Sequence, residues 1–149
     1  MRILITLMAF SLVLGSCTNK IDNDAELITD SLAMPFEGNW ERTFQLGVDS
    51  LQYVYYNIYH DSIEYIMEGP LPLNYMMEVD TFVSEDNRVI AKLNDVHYVI
   101  FIKNFNSDSL SLFKEKMENR NEALSRPYPA DTVSGHFSSW YIYYRKEIN

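Results

Sequence analysis

Few residues in this chain are equipped for chemistry. It has one cysteine, Cys17, and three histidines, His60, His97 and His136. No HxxxH, CxxC or HExxH spacing occurs, so the sequence assembles no metal centre. It also lacks a Gly-x-Ser-x-Gly elbow, a P-loop and a Gly-rich dinucleotide fingerprint. The adjacent carboxylates Glu85-Asp86 fall in a turn-like stretch, where solvated charge is the default. The expectation is a non-enzymatic protein without metal or cofactor. Arg42 is the residue that needs an explanation. Strand alternation puts it on one face with Trp40 and Phe44, and a guanidinium on an apolar face requires an anion. Three readings are open: an anchor for a ligand carboxylate, a bulge that turns the side chain outward, or a salt bridge to Glu64 or Glu78.

The composition limits what can position these residues. The chain has 149 residues, 47% hydrophobic and 14% aromatic, with 11 Tyr, 8 Phe and 2 Trp. That is enough apolar material for one cored domain and too much for wholesale disorder. The net charge of −9, from 12 basic and 21 acidic residues, opposes phosphate backbones and argues against nucleic acid as a partner.

Arg2 is followed by the apolar run Ile3–Leu14 and then by Leu14-Gly15-Ser16-Cys17. A basic start and about a dozen apolar residues form a secretory signal, too short for a spanning helix of roughly 20 residues. The final tetrapeptide resembles the lipobox of bacterial lipoproteins. That resemblance implies cleavage after residue 16, a diacylglyceryl group on Cys17, and residence in the bacterial cell envelope. The protein would be an outer membrane lipoprotein facing the periplasm or the cell surface. Two or three acyl chains suffice for stable anchoring, at about 0.8 kcal/mol per buried CH₂. Loss of Arg2 would take the net charge from −9 to −10. Residues 17–34 are polar and acidic and read as a flexible tether, leaving residues 35–149 as the domain.

From Pro35 onward the sequence reads as strands rich in Tyr, Val, Ile, Phe and Thr, broken by turn clusters. The expected strands are Gly38–Leu46, Leu51–His60, Ser62–Glu68, Leu73–Val83, Arg88–Leu93, Val96–Asn104, Ser109–Lys116 and His136–Lys146. The triplet Asp-Ser-Leu/Ile opens three of them, at Asp49, Asp61 and Asp108, as reused turn chemistry. A short helix is expected near 114–124, where Phe113, Met117 and Leu124 would share a face before Pro127 and Pro129 end it.

Short connections force antiparallel pairing, and an open meander would leave apolar aromatic edges exposed. The expected fold is therefore all-β: an up-and-down meander closing into an eight-stranded barrel. Gly38-Asn39-Trp40 at the start of the first strand, with Arg145 at the end of the last, resembles the lipocalin/calycin superfamily. The resemblance implies that Trp40 plugs the closed end and that Arg145 packs over it. A different barrel and an open sheet are the alternatives.

Parity around such a barrel puts His60 at the closed end and His97 and His136 at the open one. The latter two would be about 10 Å apart, across one intervening strand. Residues 117–135 would cross the open end, either as a lid or as an inert excursion. Same-face positions nominate Tyr53, Tyr55, Met67, Tyr75, Met77, Tyr98, Ile100, Tyr141 and Tyr143 as lumen lining. Several strands are apolar on both faces, so the inward face is left open. A lining of Tyr and Met suits a small hydrophobic or amphipathic ligand, and the competing reading is a filled core. A second function class is neutralisation of a basic protein partner, steered by Asp49, Glu85-Asp86, Asp95 and Asp131.

Overall fold

The strand-forming runs fold into the expected elements, except that the last strand is shorter than the expected His136–Lys146: it begins at Tyr141, and Ser139 and Trp140 before it are not strand. The computed structural model describes residues 33–130 and 139–147. The elements are β1 (Gly38–Gln45), β2 (Leu51–Ile58), β3 (Ser62–Glu68), β4 (Leu73–Val83), β5 (Arg88–Leu93), β6 (Val96–Lys103), β7 (Ser109–Met117), α1 (Arg120–Ser125) and β8 (Tyr141–Arg145). The strands pair in sequence order, all antiparallel, and β8 returns to β1 to close the barrel. Turn chemistry explains the punctuation. Asn87, Asn94 and Asn104 adopt left-handed backbone conformations, which Asn tolerates better than bulkier residues. The Asn106 side chain accepts from the amides of Asp108 and Ser109, turning the chain into β7. Ser62 donates to the Asp61 carboxylate at the entry to β3.

The seal forms where the sequence placed it. Trp40 pairs with Arg145 across the β1–β8 seam, and the Arg145 guanidinium carbon lies 4.4 Å from the Trp40 ring centroid. Arg145 Nε also donates to the carbonyl of Ser107 at 2.9 Å. Gly38 suits this position through its backbone conformation. Its φ is +140°, and a Cβ there would come within 2.5 Å of Arg145 Nη1. Trp40 Nε1 donates to the carbonyl of Phe36 at 2.9 Å, while Phe36 packs edge-on against Phe82 and Phe105. Met34, at the end of the stretch read as tether, is buried in the same cluster.

The lower half of the barrel is filled, with Val79 and Phe82 partly buried against its core. Trp40, Ile58, Ile63, Met77, Val89, Ile100, Ile102, Leu110 and Leu112 are all fully buried there. Each such side chain contributes about 1.5–3 kcal/mol by leaving water. A second cluster lies on the outside, where Ile90, Val99, Phe101, Phe113 and Met117 pack against Ala123 of α1.

That outer cluster corrects two expectations. The helix begins at Arg120, and Lys114 to Met117 continue β7. Phe113, Met117 and Leu124 do pack together, but two of them belong to the outward face of a strand. The described part of the 117–135 segment is an external strap, as Arg88 of β5 donates to the carbonyls of Ala123 and Leu124. Arg120 reaches Asp80 and Thr81 on β4, and Tyr128 packs on Phe101 and Trp140. Residues 117–130 therefore form no lid. Residues 131–135 lie outside the described residues, as do His136, Asp131 and Cys17.

Candidate ligand-binding site

Pairing register decides which residues face the lumen. Trp40 opposes Tyr56, Tyr56 opposes Tyr65, and Tyr65 opposes Tyr75. Partners in register share a face, so Tyr56, Tyr65 and Tyr75 point inward with Trp40. Of the nominated residues, Arg42, Met67, Tyr75, Met77, Tyr98, Ile100, Tyr141 and Tyr143 occupy inward positions. Met77 and Ile100 belong to the filled lower half. Tyr53 and Tyr55 correct the sequence reading: they face outward, with Lys146 Nζ 4.1 Å from the Tyr55 ring centroid. In their place Val54 and Tyr56 face in. The polar residue Gln52 shares their inward face. It is buried and satisfied. Its amide donates to the carbonyls of Glu68 and Leu71 and accepts from the Leu71 amide, pinning the β3–β4 connection.

Above the filled half the lining changes character. Phe44, Tyr65, Met67, Tyr75, Leu93 and Tyr98 are inward but only partly buried. The rings of Tyr143, Tyr56, Tyr65 and Tyr75 form a continuous chain, with successive centroids 5.2, 4.9 and 5.0 Å apart. A cation flanks this chain on each side.

On one side is Lys114, which sequence reasoning missed. Its signal was present: Leu110, Leu112 and Lys114 alternate along β7, placing a lysine on the apolar face. Its Nζ donates to the Tyr75 hydroxyl at 2.6 Å and lies 4.0 Å from the Tyr65 ring centroid. The rings of Tyr56, Tyr75 and Tyr98 lie 5.2–5.6 Å away. Burial pushes the Lys114 ammonium down to about 8.

On the other side is Arg42. Its guanidinium carbon is 3.8 Å from the Tyr141 ring centroid, 4.8 Å from Phe44 and 5.6 Å from Tyr143. Its Nε is buried without a hydrogen-bond partner among the described residues. Both bland readings of Arg42 are overturned. No bulge turns it out, because the β1–β2 register is unbroken. Glu64 and Glu78 are on the outer face, where Glu64 accepts from Asn57 and Glu78 opposes Lys92.

The lumen is therefore basic and hydroxyl-rich. Inward strand positions carry Arg42, Lys114, Lys116 at the rim and Arg145 at the seal, and none carries Asp or Glu. Burial raises Tyr56, Tyr65, Tyr75 and Tyr143 above the ordinary tyrosine value, with Arg42 partly opposing this at Tyr56, Tyr65 and Tyr143. These hydroxyls are neutral at pH 7. The arrangement offers apolar rings, hydroxyl donors and acceptors, and positive charge.

Other candidates disperse. His60 lies beside Asp61 at the closed end, while His97 faces outward near the open end. Among the described residues no group of three or more His, Cys, Asp or Glu side chains could hold a metal ion. The acidic residues assigned to a basic partner also separate. Asp49 and Asp95 are at the open end and Glu85-Asp86 at the closed end, where Asp86 pairs with Arg88.

No protein-family model, curated protein or solved structure matches this chain.

Proposed function

We propose that this barrel is a non-enzymatic binding domain, carried on a lipid anchor in the bacterial cell envelope, that holds one small amphipathic molecule in its upper lumen. One observation carries the reading. The inward layer of Ile58, Ile63, Met77, Val89, Ile100 and Ile102 is fully buried, whereas Phe44, Tyr65, Met67, Tyr75 and Tyr98 above it are inward and yet partly exposed. A barrel needing only a core would bury both layers, because exposed inward rings forfeit their share of the hydrophobic stabilisation. Tyr and Met also suit a ligand that is neither wholly apolar nor rigidly defined in shape. The anchor rests on the Leu14-Gly15-Ser16-Cys17 motif.

Titration of the soluble domain with the neutral fluorophore N-phenyl-1-naphthylamine tests the binding reading. Saturable one-to-one enhancement is expected, and Met67→Trp, which fills the mouth, abolishes it while the fold persists by circular dichroism. Absence of saturable binding, or full binding by Met67→Trp, contradicts the reading. Metabolic labelling with palmitate tests the anchor: the intact chain incorporates label and Cys17→Ser does not.

A further inference from the structure

We propose that the lumen selects amphiphiles with a compact anionic head, a carboxylate, and that Arg42 is the residue that takes that head. The inference rests on the binding reading above and deepens it by assigning the ligand's charge.

Arg42 lacks an acceptor for its Nε among the described residues. Arg42 is half-buried with its Nε fully so, and a desolvated N–H of a guanidinium ordinarily meets a carboxylate or carbonyl, because desolvating a charge without compensation is costly. Arg42 has aromatic rings instead, and its buried Nε meets no acceptor among the described residues. Stacking on Tyr141 uses the face of the guanidinium. The N–H donors project from its edge, in the fork that fits two oxygens of one acceptor. A two-oxygen head would give the buried Nε the acceptor it lacks among the described residues and offer a second oxygen to a neighbouring Nη.

Lys114 is in a different state. It already donates to the Tyr75 hydroxyl and is surrounded by four tyrosine rings, so its charge is partly compensated by the protein. Its contribution is the field. Two cations flank one chain of tyrosine rings, and no carboxylate faces inward from any described strand. A positive lumen inside a protein of charge −9 is a separation of charge across the barrel wall. In that lumen a cationic head is repelled and a neutral head leaves the Arg42 edge unpaired. A carboxylate satisfies the edge and gains from both charges. Its tail lies along the rings of Tyr56, Tyr65 and Tyr75.

A chain-matched competition series against N-phenyl-1-naphthylamine tests the assignment, using dodecanoate, dodecanol and dodecylamine. The expected order is dodecanoate tighter than dodecanol by about tenfold or more, with dodecylamine weakest. Arg42→Met removes the preference for the acid over the alcohol, whereas Lys114→Met retains it. Equal affinity for acid and alcohol in the unmodified protein, or an acid preference surviving Arg42→Met, overturns the assignment. The wild-type comparison decides the question even if Arg42→Met fails to fold. If the fluorophore binds and no acid preference appears, this inference alone falls. If the fluorophore never binds, the binding reading falls with it.

Discussion

At the scale of single residues, the protein accepts instability where its lumen is charged. Lys114 has its ammonium lowered from 10.5 to about 8 by burial, which corresponds to roughly 3 kcal/mol of disfavoured charge. Below pH 8 both folded and unfolded chains hold that proton, and the penalty is fully present. Between about 8 and 10.5 the unfolded chain keeps the proton that the folded one has released, so stability rises with pH. The tyrosines act in the opposite sense. Tyr56, Tyr75 and Tyr143 are raised by burial, so above pH 10 the unfolded chain loses protons that the folded one retains, and stability falls. Urea midpoints measured from pH 6 to 11 are expected to peak between about 8 and 10. Lys114→Met is expected to raise stability at pH 7 by about 1–3 kcal/mol and to abolish the rise. A flat wild-type profile, or destabilisation by Lys114→Met at pH 7, contradicts this account. Gly38 gives a second residue-scale prediction. Gly38→Ala forces a Cβ into the Arg145 guanidinium at a positive φ and is expected to cost about 2–4 kcal/mol by equilibrium denaturation.

At the scale of elements, the strands were legible and their faces were not. Turn residues at Gly47–Ser50, Asn94-Asp95 and Asn106–Asp108 marked strand ends to within one or two residues, because Asn, Asp, Gly and Ser encode local backbone geometry. The inward face of β2 was hidden, since Tyr53-Val54-Tyr55-Tyr56 is apolar in both parities. Only pairing with Trp40 chooses between them, and pairing is a property of two strands. Lys114 was obscured by a different competition. The Lys114–Leu124 stretch has helical propensity throughout, yet the Leu110, Leu112, Lys114 alternation and the outer contacts of Phe113 and Met117 keep it extended. The helix starts only where Asn119 caps it, its side chain accepting from the Glu122 amide at 2.9 Å. Asn119→Ala is expected to cost about 1 kcal/mol and to loosen α1 from the outer wall, read as faster amide exchange at Ala123. Unchanged exchange contradicts the role given to the cap.

At the scale of the whole molecule, closure and filling are separate decisions. The barrel is sealed by a short seam, Trp40 with Arg145 and Glu41 with Tyr144, beneath which Met34 and Phe36 complete the closed end. The layer of Ile58, Ile63, Met77, Val89 and Ile100 is packed as the interior of an ordinary small domain. Above it Phe44, Tyr65, Met67, Tyr75 and Tyr98 are inward and partly exposed, between two cations that lack an acidic partner on any inward strand position. The sequence resemblance through Gly38, Trp40 and Arg145 reached the seal, and the seal organises the barrel. It did not reach the lumen, whose character depends on Arg42, Lys114 and tyrosines drawn from five different strands. Native mass spectrometry of the soluble domain, produced without the Cys17 anchor and purified without detergent, tests the central claim most directly. The account predicts a mass excess equal to one small molecule per chain, lost on denaturation and detected as an acid in negative-ion mode. A bare polypeptide mass that stays bare after incubation with dodecanoate would contradict it.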